Sequence, residues 1–269
     1  IPLVERRLAG TFACLPFGRD DVDGGPPHGT TAQAPWRILR RSAGALTAAT
    51  ATPRGTVSVT LSLRDDHPVL YQSHHLDLTA PATFAHHPMV QSVRAIAHSP
   101  ARAVHTFPTQ EAPGTERWPP DRRRPALPPL PEGEGTDFAT IVSAPGLGWT
   151  AAMRATDTLL FLRPAAILPV TNVWLWNGGR SHAPWNGRAL DVCGIEDAIC
   201  AGASGFAAAL GDNRIAADGV PTALGPGRHL IPYAIVRLPK SVAVETVEIA
   251  GNTLTAGGLT VPFDAGHLR

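Results

Sequence analysis

The chain predicts an all-β fold, a large antiparallel β-sandwich, on three observations. Glycine and proline are abundant, 26 and 27 among 269 residues, and such punctuation suits many short strands joined by turns. Several stretches alternate with period two, Thr56–Leu63 (TVSVTLSL) most clearly. No amphipathic pattern persists beyond about ten residues, so long helices are not expected. One domain spanning residues 1–269 is expected, because a single all-β domain can run this long. At this size about three quarters of the unfolded surface can be buried.

Basic and acidic residues nearly balance, 23 against 22. No net field therefore recruits nucleic acid or an anionic membrane. No run of about 18 apolar residues reads as a membrane span. No signal peptide is present, but the first residue is Ile1 rather than Met, so a targeting segment removed ahead of it stays open. The three cysteines are an odd number without metal-ligand spacing. They read as free thiols in a reducing compartment, which places the chain in the cytoplasm. The oligomeric state is left open.

Taken in order, the chain begins with a charged turn and an apolar patch, Thr11–Phe17. The acidic, glycine-rich run Arg19–Gly25 follows; its spacing fits no calcium loop, and it reads as a solvated loop. Pro26-Pro27 stiffens the backbone ahead of His28, and Gly29 permits a tight turn after it, so His28 is presented rigidly. Strands are expected at Thr47–Thr52, Thr56–Leu63 and Val69–Leu78. In the last, His75 and Asp77 share one face while His74, Leu76 and Leu78 share the other. His86 and His87 are sequence neighbours on an extended stretch, so only one of them can enter a given cleft. His74, His75, His86 and His87 match no zinc spacing, and no metal is expected.

Residues 108–136 are dense in proline and charge and read as an extended surface insertion, Arg122-Arg123-Arg124 included. Strands resume at Phe138–Ala144, Trp149–Arg154 and Leu159–Leu162. Gly202–Gly219 is small and turn-rich, with one helical turn. His229–Leu238, Val242–Ile249 and Leu254–Phe263 close the chain as strands. On such a sandwich, function is expected in loops over one concave face.

The stretch Asn172–Asp197 (NVWLWNGGRSHAPWNGRALDVCGIED) is the most informative. Val173 and Leu175 alternate with Trp174 and Trp176 as a strand. Asn177-Gly178-Gly179, Pro184 and Asn186-Gly187 then break it into a loop. The apolar run Leu190–Ile195 ends on Glu196 and Asp197. A sugar site needs flat aromatic faces, forked donors and a carboxylate, and all three lie here. The plainer reading is a hairpin with a solvated acidic end. A carboxylate and one or two imidazoles, with ordinary pKa values about 4.3 and 6.5, also suit proton transfer near neutral pH. His28, His87 and Glu196 compete for that role. No Gly-Xaa-Ser-Xaa-Gly elbow, P-loop or His-Glu-Xaa-Xaa-His is present, which argues against serine hydrolase, nucleotide and metalloprotease chemistry, and no cofactor is expected.

Three of these motifs carry a resemblance. Pro26-Pro27-His28-Gly29 with Ala34-Pro35-Trp36 resembles the Pro-Leu-His-Gly…Pro-Trp segment of the aldose 1-epimerase (galactose mutarotase) superfamily. His86-His87-Pro88 is similar to the family's second histidine segment, with Met89-Val90 in place of an aromatic pair. Gly194-Ile195-Glu196 resembles its Gly-Ile/Leu-Glu signature. The resemblance implies a galactose mutarotase-like supersandwich that binds a small-molecule sugar and interconverts the anomers of a hexose. It implies Glu196 as the base at the anomeric hydroxyl, His87 as the acid at the ring oxygen, and His28 as a substrate-binding group. From composition, Trp176, Trp185, Asn177 and Arg180 are read as lining the cleft. The chain departs from the family in its shortened first strands. For the family's sugar-binding arginine only Arg19 is a candidate, and its aspartate is unplaced, since Asp197 follows Glu196 too closely to share its face. A non-catalytic carbohydrate-binding protein using the same cleft, or an epimerase acting on a sugar phosphate held by Arg122–Arg124, are the competing readings.

Overall fold

The computed structural model describes residues 10–110, 112–183 and 185–269. Its strands follow the turn punctuation closely. The first half carries β1 (Thr11–Cys14), β2 (Arg37–Arg41), β3 (Ala45–Thr52), β4 (Gly55–Ser62), β5 (Val69–Leu78), β6 (Phe84–Gln91), β7 (Ala95–His98) and β8 (Ala101–Phe107). The middle carries β9 (Arg123–Arg124), β10 (Gly135–Ser143), β11 (Leu147–Met153), β12 (Thr158–Pro164), β13 (Val170–Asn177) and β14 (Val192–Ile199). The last part carries β15 (Gly227–Leu238), β16 (Val247–Ala250), β17 (Thr253–Ala256) and β18 (Leu259–Pro262). Among the described residues the α-helices are one-turn pieces, α1 (Gly29–Gln33) and α2 (Phe206–Ala209).

The strands form three sheets, all of antiparallel pairs. One has seven strands in the order β1-β6-β14-β13-β10-β8-β9, and a second has eight in the order β2-β3-β4-β5-β15-β12-β11-β7. The third is the small β16-β17-β18 sheet. The two large sheets share one apolar core: Val173, Leu175 and Ile195 of the first meet Leu76, Phe161 and Ile231 of the second. Each such side chain, fully buried, contributes about 1.5–3 kcal/mol by leaving water. The small sheet covers part of the outer face of the eight-stranded sheet, with Leu254, Val261 and Phe263 against Val69, Trp149 and Leu162.

Several expectations need amendment. Strands β7 and β8 were not expected, because Ala95–His98 and Ala101–Phe107 mix small, charged and apolar residues without strict alternation. Leu254–Phe263 is two strands, since Gly257 and Gly258 both take positive φ (54° and 74°) and turn the chain back. The strand expected at Val242–Ile249 starts only at Val247. The proline-rich stretch is more than a solvated loop. Trp118 is buried within it and donates Nε1–H to Pro129 O at 2.9 Å. Asp137 of β10 clips the stretch down, accepting from the backbone N–H groups of Arg117 and Trp118, each at 2.6 Å. The period-two reading of β5 matches: His74 is buried and His75 exposed.

No helix among the described residues is long and apolar enough to cross a membrane.

Candidate active site

The face of the seven-stranded sheet that looks away from the shared core is built by register. Gly194 lies opposite Met89 and Asp197 opposite His86, so the intervening Glu196 faces His87 across β14 and β6. Phe12 of β1 is opposite His87 on its other side, and Asn172 of β13 is opposite Glu196. One turn of the pleat along, Phe138, Trp174 and Gly194 form the next row on the same face. The alternation sends His86 and Asp197 into the space between the sheets. There His86 Nε2 contacts Thr11 Oγ1 at 2.8 Å and Gln72 Oε1 at 3.0 Å. Asp197 accepts hydrogen bonds from Thr171 (2.6 Å) and Tyr233 (2.7 Å) and pairs with Arg163 (2.8 Å).

His87 Nε2 lies 2.9 Å from Glu196 Oε1, and both side chains are nearly inaccessible. Phe12 stacks on the His87 ring at 4.6 Å, which fixes its plane. Glu196 Oε2 and His87 Nδ1 are buried without a hydrogen-bond partner. Such groups are costly to leave unsatisfied and mark a place where a polar ligand would be welcomed. Gly194 makes the close approach feasible. A Cβ there would stand 3.0 Å from His87 Cε1 and 3.1 Å from Glu196 Oε1.

His28 arrives from the other end of the chain. It precedes α1 and holds a left-handed backbone, φ 61°, anchored by its N–H on Gly18 O at 2.8 Å. Gly29 beside it also has positive φ, and a Cβ there would lie 2.0 Å from Leu15 O, so the close strand contact admits only glycine. The His28 ring sits edge-on to His87 at 5.2 Å, and its Nδ1 is 3.6 Å from Cys14 Sγ. Burial, with His87 and Arg180 nearby, pushes its imidazole down to about 3, so it is neutral. Burial and the Glu196 charge hold the Cys14 thiol well above its usual value.

His28, His87, Glu196 and Arg180 line one hollow of about 420 Å³, within the usual range of small-ligand sites, about 300–1000 Å³. Arg180 reaches it from the β13–β14 loop, its guanidinium stacked 4.9 Å from Trp174, 5.4 Å from Trp185 and 5.5 Å from Trp176. Trp176, Trp185 and Asn177 do not line the hollow. Trp176 is fully buried behind it, with Trp185 packed edge-on at 4.2 Å. Asn177 ties the loop ends together, donating to Gly133 O (3.0 Å) and accepting from Asp191 N–H (3.2 Å). Pro184, read as a loop break, lies outside the described residues. The indole that does reach the hollow is Trp174, which shares its strand face with Asn172 and Trp176.

Two further loops complete the walls, one of them carrying Arg19, the candidate for the sugar-binding arginine. Arg19 and Asp20 line the hollow, as do Thr109 and Gln110. The acidic loop is not merely solvated. Asp20 accepts backbone N–H bonds from Val22, Asp23 and Gly25 at 2.9–3.3 Å, and Asp23 takes Arg54 in a two-point pair at 2.7 Å. Its carboxylates are thus engaged by protein donors. The described residues hold no cluster of three or more His, Cys, Asp or Glu in metal-binding geometry. The Arg122–Arg124 run does not line the hollow; Arg123 and Arg124 form β9 at the sheet's far edge, and Arg123 pairs with Asp218 at 2.8 Å.

No protein-family model matches the sequence, and no curated protein matches it. Solved structures do. The chain is similar to an aldose 1-epimerase candidate from Escherichia coli K12, with 15% identity over 86% of this chain and 84% of that one, at a TM-score of 0.58. It is similar to a galactose mutarotase related enzyme from Lactobacillus acidophilus, with 12% identity over 88% and 85% and a TM-score of 0.55. A galactose mutarotase-like protein from Lactobacillus casei gives 12% identity over 85% of each chain and a TM-score of 0.54. By these likenesses the chain has the fold of the galactose mutarotase-like proteins, the antiparallel sandwich that the aldose 1-epimerase candidates share.

Proposed function

We propose that the chain interconverts the anomers of a sugar, with Glu196 and His87 as the catalytic residues. One observation carries this reading: the 2.9 Å contact between His87 Nε2 and Glu196 Oε1 in a hollow that His28 also enters. An anomeric hydroxyl and a ring oxygen are bonded to the same carbon. An acid and a base that serve both must therefore sit side by side on one wall, as this pair does.

The reaction needs a proton on His87 Nε2 and a proton acceptor at Glu196. The anomeric end of the sugar comes up against the pair and takes over both ends of their 2.9 Å contact. Glu196 takes the proton of the anomeric hydroxyl as His87 gives its Nε2 proton to the ring oxygen. The bond from the anomeric carbon to the ring oxygen breaks, leaving an aldehyde and a hydroxyl. Rotation about the bond next to the aldehyde exposes its other face, and the two proton transfers run in reverse as the ring closes. Neutral His28 binds a sugar oxygen, and Trp174 offers an apolar face to sugar C–H groups. Arg180, braced by three indoles, is a fixed donor. Positioned acid–base groups of this kind contribute about 10²–10⁴-fold each. We place the chain, as one domain, in the cytoplasm, because Cys14, Cys193 and Cys200 are all buried free thiols.

Polarimetry on freshly dissolved α-D-glucose and α-D-galactose tests the proposal, with Glu196→Gln alongside the unaltered chain. Expected is a loss of about 10²-fold or more in the variant. Equal rates for the two proteins would reject catalysis; sugar binding retained by both would then favour the carbohydrate-binding reading.

A further inference from the structure

The eight-stranded sheet ends on β2, and no strand lies beyond it among the described residues. Its five residues, Arg37–Arg41 (RILRR), are all exposed, and none of them lines the hollow of His87 and Glu196. An edge strand carries an outward row of backbone N–H and C=O groups, a template for a further strand. Register shows which side chains flank that row. Ile38 lies opposite Ala48, Ala48 opposite Val59 and Val59 opposite His74, so Ile38 prolongs a row of the core-facing side. Burial fades along that row, from His74 and Ala48, both buried, to Ile38, which is 60% exposed. Leu39 is the extra residue of a bulge between Ile38 and Arg40, and it is 48% exposed.

A short, bulged, basic edge resists pairing with its own kind. Repulsion alone, however, has no use for Ile38 and Leu39 held side by side in water. Charge decides what would cover them. Arg37, Arg40 and Arg41 are exposed, and no acidic group among the described residues pairs with any of them. A second copy of β2 would set the same guanidiniums against one another, and like charges across a strand pair are destabilising. An acidic strand would set carboxylates there instead. Nucleic acid or an anionic membrane would satisfy the arginines but leave the backbone row and Ile38 without partners.

We propose that β2 is a docking edge for an extended, acidic segment of another protein, which joins the sheet beside it. Backbone pairing supplies the affinity and the side chains supply the selectivity. An apolar residue of the segment covers Ile38, and its carboxylates meet Arg37, Arg40 and Arg41.

The experiment titrates the unaltered chain with a capped peptide of alternating Glu and Val, followed by calorimetry and by hydrogen exchange. Expected is saturable binding that weakens as salt is added, with the β2 amides protected in the complex. The triple variant Arg37→Glu, Arg40→Glu and Arg41→Glu should bind about tenfold more weakly or worse, the loss of three exposed ion pairs. Its melting temperature should be unchanged, since all three residues are exposed. The same peptide N-methylated throughout keeps its carboxylates but cannot pair as a strand, and it should lose binding to the unaltered chain. That arm decides the matter even where the triple variant fails to fold. No binding of the Glu-Val peptide, or equal binding of its N-methylated form, overturns the proposal. So does a chain that ignores the peptide yet holds single-stranded DNA or vesicles of anionic phospholipid, which would make β2 a plain anion surface.

Discussion

His87 and Glu196 face each other across two neighbouring strands, Nε2 to Oε1 at 2.9 Å, over a residue that has no side chain. That residue is Gly194. Its φ is not in the left-handed region, so its absent Cβ serves the close approach rather than the backbone. Gly194→Ala should therefore displace both side chains by a few tenths of an ångström. The proposed anomerisation should fall about 10-fold, since misplacement of about 1 Å can cost about 10²-fold. The melting temperature should hold or rise, because alanine restricts the unfolded chain more than glycine does, a gain of about 0.4–1 kcal/mol where the site tolerates it. Polarimetry beside a thermal melt checks the split; a parallel fall in both would mean the methyl group simply does not fit.

Cys14 sets the face that His28 shows to a ligand. Its thiol is kept protonated by burial, so the group 3.6 Å from His28 Nδ1 is a donor. A donated S–H fixes the proton of the neutral ring on Nε2 and turns His28 into a hydrogen-bond donor. Cys14→Ser keeps an O–H donor and should retain KM within about twofold. Cys14→Ala removes it and should raise KM by about 5–10-fold with kcat little changed, the size of one ordinary hydrogen bond. Nitrogen chemical shifts of His28 should report one tautomer in the unaltered chain and a mixture in Cys14→Ala. A single tautomer in both would end the argument.

The sandwich was legible because glycine and proline break the sequence where the strands end, and because period-two alternation persists in β4 and β5. Glu196, His87 and His28 stood out for their local settings: a glycine two residues ahead, a histidine pair before proline, a rigid Pro-Pro lead. Trp174 and Trp176 could not be sorted from sequence. They share one strand face, and only the depth of the loop covering that face decides that Trp174 reaches the hollow while Trp176 is sealed behind it. Asn177 has the donors of a sugar ligand but spends them on its own loop. Arg19 was named as a candidate arginine, but its partners on the wall, Asp20 and Gln110, were hidden: nothing local in a sequence brings residues some ninety positions apart to one rim.

Acid should weaken the fold well before the carboxylates titrate. Burial lowers His28 to about 3 and His74 to about 4, and holds His86 well below its usual value. In the unfolded chain all three titrate at about 6.5. Below that value the unfolded state binds more protons than the native state, so stability is fully present above pH 6.5 and falls as pH drops toward the folded values. Each histidine contributes on the order of 1.4 kcal/mol per pH unit in that window. Urea midpoints at pH 7, 6 and 5 should decline steadily. His74→Leu, which keeps an apolar contact with Phe84, should flatten the slope by about a third. A pH-independent midpoint over that range would contradict the neutral burial of these rings.

Asp197 follows Glu196 in sequence yet belongs to the scaffold. Its carboxylate is wholly buried between the sheets, where it meets Arg163 at 2.8 Å, Tyr233 at 2.7 Å and Thr171 at 2.6 Å. Arg163 is 1% exposed, so without Asp197 a guanidinium would be left charged in the core. Asp197→Ala should therefore cost about 3–5 kcal/mol, the usual penalty for breaking a buried pair from one side. Tyr233→Phe removes one hydrogen bond to the same carboxylate and should cost about 1.5–3 kcal/mol. The double variant Asp197→Leu with Arg163→Met removes both charges and should recover much of the loss, because an apolar replacement of a buried ion pair is often neutral or stabilising by about 1–4 kcal/mol. Chemical unfolding of the set measures all three. If Asp197→Ala unfolds at the same urea concentration as the unaltered chain, Asp197 does not hold the sheets together, and the link between β14 and β12 must come from the apolar core alone.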